Sequence, residues 1–272
     1  YVEAQSVLRA TLDRAPQNPT IKADLIRVAS EIGGVDAGLA EARDFAGKDP
    51  DSVVYDLVSA ELLDEAGRNK EAIGLLERDL AAKPKNDGLT TALARLYNRA
   101  GNADKAETIL SARLTADPSN YVVGSALAAL YLEKKDFNAA TTQYGKILGS
   151  HPTDPAVLNN LAWLYQQKGD LTKARELAER AVAAAPNAPQ IDDTLGWILV
   201  AQGDAGKAVT YLTAANVSAP ADPAIAYHLA VALHRVGRTA DAQTMLEKLL
   251  GSGGSFADKP QAEKLLAEIK HS

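Results

Sequence analysis

The 272-residue sequence contains no cysteine. Disulfides, thiol nucleophiles and cysteine-ligated metals are therefore excluded, while the redox compartment stays open. No apolar run approaches the roughly 18 residues that a membrane-spanning helix needs. Histidine is scarce: His151, His228, His234 and His271 are the full set. No HExxH and no pair of histidines four apart occurs, so no metal site is expected. Basic charge is also short. Lys and Arg number 29 against 35 Asp and Glu, which disfavours nucleic acid as a partner. The deficit lies mainly in residues 1–136, with 17 basic and 22 acidic side chains. No GxSxG elbow is present, and no nucleophile sits beside a base in a unique segment. Neighbouring carboxylates such as Asp64-Glu65 and Asp192-Asp193 splay apart on a helix and read as solvated faces. "GSGGS" (251–255) lacks the Lys-Ser/Thr of a phosphate loop and reads as a connector. The expectation is a chain without catalytic residues, cofactor or metal.

What the sequence does have is a period. Pro16, Pro50, Pro84, Pro118, Pro152, Pro186 and Pro220 are each 34 residues apart. Gly33, Gly67, Gly101, Gly169, Gly203 and Gly237 follow the same comb, with Lys135 in the one missing place. Ala72, Ala106, Ala140, Ala174, Ala208 and Ala242 do the same. A repeat of this length marks stacked supersecondary units.

Residues 155–188 show why each period reads as a helical hairpin. Pro155 suits a first helical turn, where its missing N–H costs nothing. Leu158, Leu161, Ala162 and Tyr165 recur at helical spacing and form one apolar face. Gly169 falls where the first helix must end, in the left-handed conformation glycine tolerates best. Asp170 can cap the next helix, with Ala174, Leu177, Ala178 and Ala181 as its inner stripe. Pro186 closes the period, because proline disfavours helix in the residue before it. Small residues at Ala162 and Ala174 let the helices approach closely. One hairpin cannot bury such a face alone, so neighbours must stack.

This set of residues resembles the tetratricopeptide repeat (TPR), which has a 34-residue period. The match at Leu161, Ala162, Tyr165, Ala174, Ala181 and Pro186 falls on that family's positions 7, 8, 11, 20, 27 and 32. The resemblance implies an all-α TPR superhelical solenoid of helix-turn-helix repeats. Seven units are expected: 19–52, 53–86, 87–120, 121–154, 155–188, 189–222 and 223–256. Residues 1–18 read as the second helix of a truncated repeat, and the chain as the C-terminal part of a longer protein. Residues 257–272 read as a capping helix. Unit 121–154, with Gly124, Gly145 and Gly149 in its helices and no turn glycine, is expected to be the softest.

The family resemblance also implies where a partner would bind. The first helices line a concave groove through positions 2, 5, 6, 9, 12 and 13. In the C-terminal units these are Asn159, Asn160, Trp163, Gln166 and Gln167, then Gln190, Asp193, Thr194 and Trp197, then Tyr227, His228, His234 and Arg235. A secondary groove would comprise Glu61, Asp64, Glu65, Arg95, Asn98 and Arg99. Trp163 and Trp197 are the only tryptophans and stand one period apart. Two readings apply to them: packing between neighbouring first helices, or an aromatic floor beside the amides of Asn159 and Asn160. The Lys/Asn/Asn/Lys/Arg carboxylate clamp of some TPR domains is met here only at Asn160. The other matching positions are Ser125, Ala129, Gln190 and Thr194.

The phrases "LNNLAWLYQQKGD", "DTLGWILVAQGD" and "YHLAVALHRVGR" further resemble the TPR lipoprotein of bacterial exosortase/PEP-CTERM exopolysaccharide systems. That resemblance implies a periplasmic or outer-membrane-associated protein, with the cytoplasm left open. The expected function is a non-catalytic protein-protein interaction scaffold, taking a protein or extended peptide in its groove within an exopolysaccharide assembly or export complex. The alternatives are a carbohydrate-binding module that takes polysaccharide on the tryptophans, and a regulatory region of a larger enzyme.

Overall fold

A computed structural model describes residues 1–271. The described residues form helices and connecting turns, without a strand. Helix α1 (Val2–Arg14) stands alone and is followed by seven helical hairpins. These are α2 (Pro19–Gly33) with α3 (Val35–Lys48), α4 (Val54–Glu65) with α5 (Asn69–Ala82), and α6 (Asp87–Arg99) with α7 (Ala103–Ala116). Next come α8 (Tyr121–Glu133) with α9 (Phe137–Ser150), and α10 (Pro155–Gln167) with α11 (Leu171–Ala184). The last two are α12 (Pro189–Gln202) with α13 (Ala205–Ser218) and α14 (Pro223–Arg235) with α15 (Thr239–Gly251), before the final helix α16 (Lys259–Lys270). Ser272, the last residue of the expected cap, lies outside the described residues.

The proline comb works through its neighbours. Every second helix for which the geometry is defined ends two residues before its proline. The residue between is pushed to extended φ values from −128° to −147°: Ala15, Asp49, Lys83, Asp117, Ala185 and Ala219. This is the steric exclusion of helix before proline. The next first helix is then started by a side-chain cap. Asn18, Asn86, Asn120, Asp154 and Asp222 each accept a backbone N–H from the first turn, satisfying donors the helix cannot. Inside the hairpins, Gly67, Gly101, Gly169, Gly203 and Gly237 take φ between 73° and 84°. Lys135 is forced into the same region at φ 58°. The first hairpin departs from the comb. Helix α2 runs through Gly33, and Gly34 makes the turn at φ 80°.

The chain divides into two compact halves, Tyr1–Ala140 and Thr141–Ser272. In each, a hairpin's helices pack together and its second helix packs on the following first helix. First helices also touch directly: α2 on α4, α4 on α6 and α6 on α8 in the N-terminal half, α10 on α12 and α12 on α14 in the C-terminal half. The seams are alanine and leucine. Ala162, Ala174, Ala178 and Ala181 are fully enclosed, with Leu158, Leu161 and Leu177 between them. Gly196 shows how tight a seam is: a Cβ there would lie 2.5 Å from Leu212. Tyr165 differs from the expected core role. It is only half-buried, with the Lys173 ammonium 4.5 Å above its ring, while the neighbouring Leu164 is fully enclosed.

Candidate functional site

In the N-terminal half, the first-helix face is a ladder of polar rungs about one period long. Arg27 of α2 pairs with Glu61 of α4 at 2.9 Å. Asp64 of α4 binds Arg99 of α6, and Asn98 of α6 donates to Glu133 of α8. At the start of α8, the capping Asn120 donates to Asp87 at 2.7 Å, and Asp87 is itself 2.7 Å from Arg113 of α7. The Asp64 side chain is only 5% exposed, so it is not the solvated carboxylate its sequence context suggested. Glu65 beside it is exposed.

Arg95 on α6 is the exception. Its side chain is exposed and makes no ion pair among the described residues. It overhangs a cavity of about 620 Å³ floored by Leu57, Ala92, Ala126, Ala129 and Leu130. Small side chains on α6 and α8 open this space, so an apolar residue could enter beside a free guanidinium.

The C-terminal half builds a different face. Trp197 of α12 stacks on His228 of α14, with ring centroids 4.1 Å apart and planes 14° apart. Tyr227 tilts against both rings at about 6 Å. The His228 Nδ1 lies 2.8 Å from Asp193 Oδ1, so the carboxylate fixes the ring that the indole covers. Burial holds the Tyr227 hydroxyl above the usual phenol range, and the nearby Asp258 charge adds to this. For Trp197 the packing reading therefore applies, with His228 as the stacked partner.

Trp163 on α10 is 37% exposed, and apart from Tyr1 it is the one aromatic residue among those described to be classed as exposed. Around it, Asn160 donates to the Tyr144 hydroxyl at 3.1 Å, while Asn159 Oδ1 is buried without a partner. Gln166 is half-buried. On the next first helix Gln190 is exposed, and the Thr194 hydroxyl turns back to the Gln190 carbonyl at 2.9 Å. Arg235 caps the end of α12 by donating to the Val200 carbonyl at 2.7 Å. His234 lies 3.4 Å from the Thr239 hydroxyl.

Asp192 corrects the sequence reading. It is 4% exposed rather than solvated, and burial pushes its carboxyl above the usual carboxylate range. Its neighbour Asp193 takes the His228 contact, so the two do splay apart as adjacent helical residues must. The rungs were missed in the sequence although a signal existed: opposite charges at spacings of 34 or 35. Among the described residues no group of three or more His, Asp or Glu could hold a metal, and no helix is long and apolar enough to cross a membrane.

No curated protein is a significant match to the chain. Solved structures share its fold at low identity. A tetratricopeptide repeat protein from Parabacteroides merdae is 14% identical, with TM-score 0.62, over 93% of this chain and 98% of that one. Yeast Tom70 is 16% identical, with TM-score 0.68, over 99% of this chain and 58% of that one. YrrB, described as a TPR protein with an unusual peptide-binding site, is 16% identical, with TM-score 0.55, over 72% of this chain and 98% of that one. A family model described as tetratricopeptide repeat matches residues 65–130, 131–198 and 199–269. Those three matches cover most of the sequence, and the helical hairpins carry its period throughout: the chain belongs to the tetratricopeptide repeat family, whose members build protein-interaction scaffolds that are generally non-catalytic.

Proposed function

We propose that the chain is a non-catalytic scaffold that grips an extended peptide segment on the first-helix face of its C-terminal half. The observation that carries this reading is the exposure of Trp163 beside a face already organised by the Asp193–His228–Trp197 stack. A large ring held on a helix and partly exposed to solvent offers contact area at little entropic cost. Asn159, Asn160, Gln166, Gln190 and Thr194 supply amides and a hydroxyl that can meet a peptide backbone, while Tyr227 and His228 support the floor. In the N-terminal half, Arg95 and its cavity offer a second place for a side chain. The residues Glu61, Asp64, Asn98 and Arg99 serve there as supports, because they are bound to one another or to neighbouring first helices.

The setting we propose is a bacterial envelope complex for exopolysaccharide assembly or export. It rests on the resemblance of the last three repeats to the exosortase-associated lipoprotein. Cell fractionation tests it: finding the native chain only in the cytoplasm would reject the envelope setting.

The binding site is tested by selecting from a random peptide display library against the full chain. Selected peptides should lose at least tenfold in affinity with Trp163→Ala, a change at a partly exposed site. Peptides indifferent to Trp163→Ala would place the groove elsewhere. The same indole beside amides also suits a sugar ring, which is the second reading. A saturable shift of tryptophan emission on titration with acidic or neutral oligosaccharides, lost in Trp163→Ala, would replace the peptide reading by that one.

A further inference from the structure

The second helices of the N-terminal half carry a cavity of their own. It has a volume of about 690 Å³ and lies between the second helices α3 and α5, with α4 behind them. Its aliphatic wall comes from Leu39 and Ala42 on α3, Leu63 on α4 and Leu75 on α5, and the rest of its lining is mostly polar or charged. Gly74 widens it, since no atom beyond its own stretch of helix comes within 4 Å of where a Cβ there would stand. Three carboxylates line this space, Asp56 of α4 with Glu71 and Asp79 of α5, and Glu71 is bound by Arg68.

Neither Asp56 nor Asp79 has an ion-pair partner among the described residues, and Asp79 Oδ2 is buried without any hydrogen bond. Burial holds both carboxyls above the usual range, and the Asp79 charge raises Asp56 further. Arg43 and Arg78 also line the cavity, and the charges of Arg78 and Lys83 offset the effect of burial on both carboxyls in part, without an ion pair to either. Lys83 donates to the carbonyls of Asp51 at 2.8 Å and Pro50 at 3.4 Å. Arg78 is exposed and turns to the Gly74 carbonyl at 3.3 Å. Arg43 on α3 is exposed.

The same register in the preceding hairpin shows what a provided charge looks like. Lys22 stands one period before Asp56 and is only 5% exposed. Its ammonium donates to the Tyr55 hydroxyl at 3.1 Å and lies over the Phe45 and Tyr55 rings. Tyr55 in turn donates to Asp49 at 3.0 Å. A buried charge normally requires such partners, because desolvation without compensation is costly. Asp56 and Asp79 make no such direct contact among the described residues, burial outweighs the charges of Arg78 and Lys83 at both, and a cavity lies beside them.

We propose that this cavity is a second binding site, which takes a guanidinium or ammonium group on an aliphatic stem. The stem lies against the leucine and alanine walls, and the cationic head meets Asp56 and Asp79. An arginine or lysine side chain of a partner polypeptide has this chemistry, and so does a free amine such as agmatine. The site lies in the N-terminal half and the proposed peptide groove in the C-terminal half, and the two share no residue.

Amide NMR of the full chain, titrated with N-acetyl-arginine amide and separately with agmatine, tests the proposal. At pH 7 at least one probe should shift amides of α3, α4 and α5 saturably. The neutral N-acetyl-leucine amide should not. Tighter binding of the arginine amide assigns the site to a polypeptide side chain, and tighter binding of agmatine to a free amine. In the Asp56→Asn/Asp79→Asn double variant the affinity should fall at least tenfold. Wild-type protein supplies the check that needs no variant: affinity should fall on acidification to pH 4, as the carboxyls take up protons. No saturable shift with either probe, an equal response to the leucine amide, or an affinity indifferent both to the double substitution and to pH would overturn it.

Discussion

The two halves use one backbone plan to make opposite surfaces. In Tyr1–Ala140 the first-helix face is spent on itself. Arg27, Glu61, Asp64, Arg99, Asn98 and Glu133 answer one another across a period, and Arg95 is left over. In Thr141–Ser272 the same repeat positions hold an exposed indole, a second indole stacked on histidine, and amides. Position for position, Arg27, Glu61 and Arg95 in the first half become Trp163 and Trp197 in the second. The repeat fixes where a side chain stands, while its chemistry decides whether it answers the neighbouring repeat or stays exposed.

Tryptophan substitutions give the largest expected effects. Trp197→Ala removes the ring that covers His228 and should cost about 3 kcal/mol by urea unfolding. Trp163→Ala, at the more exposed site, should cost less than about 1 kcal/mol. Equal losses would erase the distinction between a supporting and a presenting indole. On the charged half, Arg99→Ala strands the shielded Asp64 carboxylate and should cost about 1–3 kcal/mol. Arg27→Ala breaks a pair exposed at both ends and should change stability by about 0.5 kcal/mol or less. If the two changes were equal, the rungs would be uniform decoration rather than a graded support.

A pH series adds a third test. Burial raises the folded-state carboxyl of Asp192 above its unfolded value near 3.8. The folded state thus holds the proton more tightly, and the stabilisation this gives is lost as pH rises from that value through the raised one. Asp192→Asn should be more stable than wild type at pH 7, and the advantage should shrink towards pH 4. An advantage constant across that range would mean that Asp192 is not a buried acid. The smallest expected gain comes from Lys135→Gly, which relieves a non-glycine residue at positive φ by about 1 kcal/mol. No gain in thermal unfolding would show that the turn of the fourth hairpin is unstrained.

Much of the fold was legible because its determinants are local. A proline acts on the residue before it, a cap on the turn after it, and an alanine on the helix it faces, so a period of 34 translates directly into helix ends. The first hairpin escaped because Gly33 and Gly34 are adjacent, and either can end a helix in sequence terms. A Cβ at Gly33 would stand 2.8 Å from that of Ala37, whereas Gly34 has open space. The candidate site was legible only as positions. That Trp197 would find His228, or that Asp192 would be shut away while Asp193 was not, depends on which neighbour fills the space one repeat later. Tyr165 shows the same limit, since its ring lies under Lys173 from its own second helix.

The one-period rungs also govern how this gene could gain or lose length. Removing residues 87–120 would rejoin the hairpins in register, with every cap and turn intact. It would, however, bring Glu133 to the place where Arg99 answers Asp64, carboxylate against carboxylate. Removing residues 53–86 would bring Arg95 to where Glu61 answers Arg27. Edits of a whole period are thus permitted by the backbone and screened by charge, so the order of repeats in this half is as much a part of the design as their number.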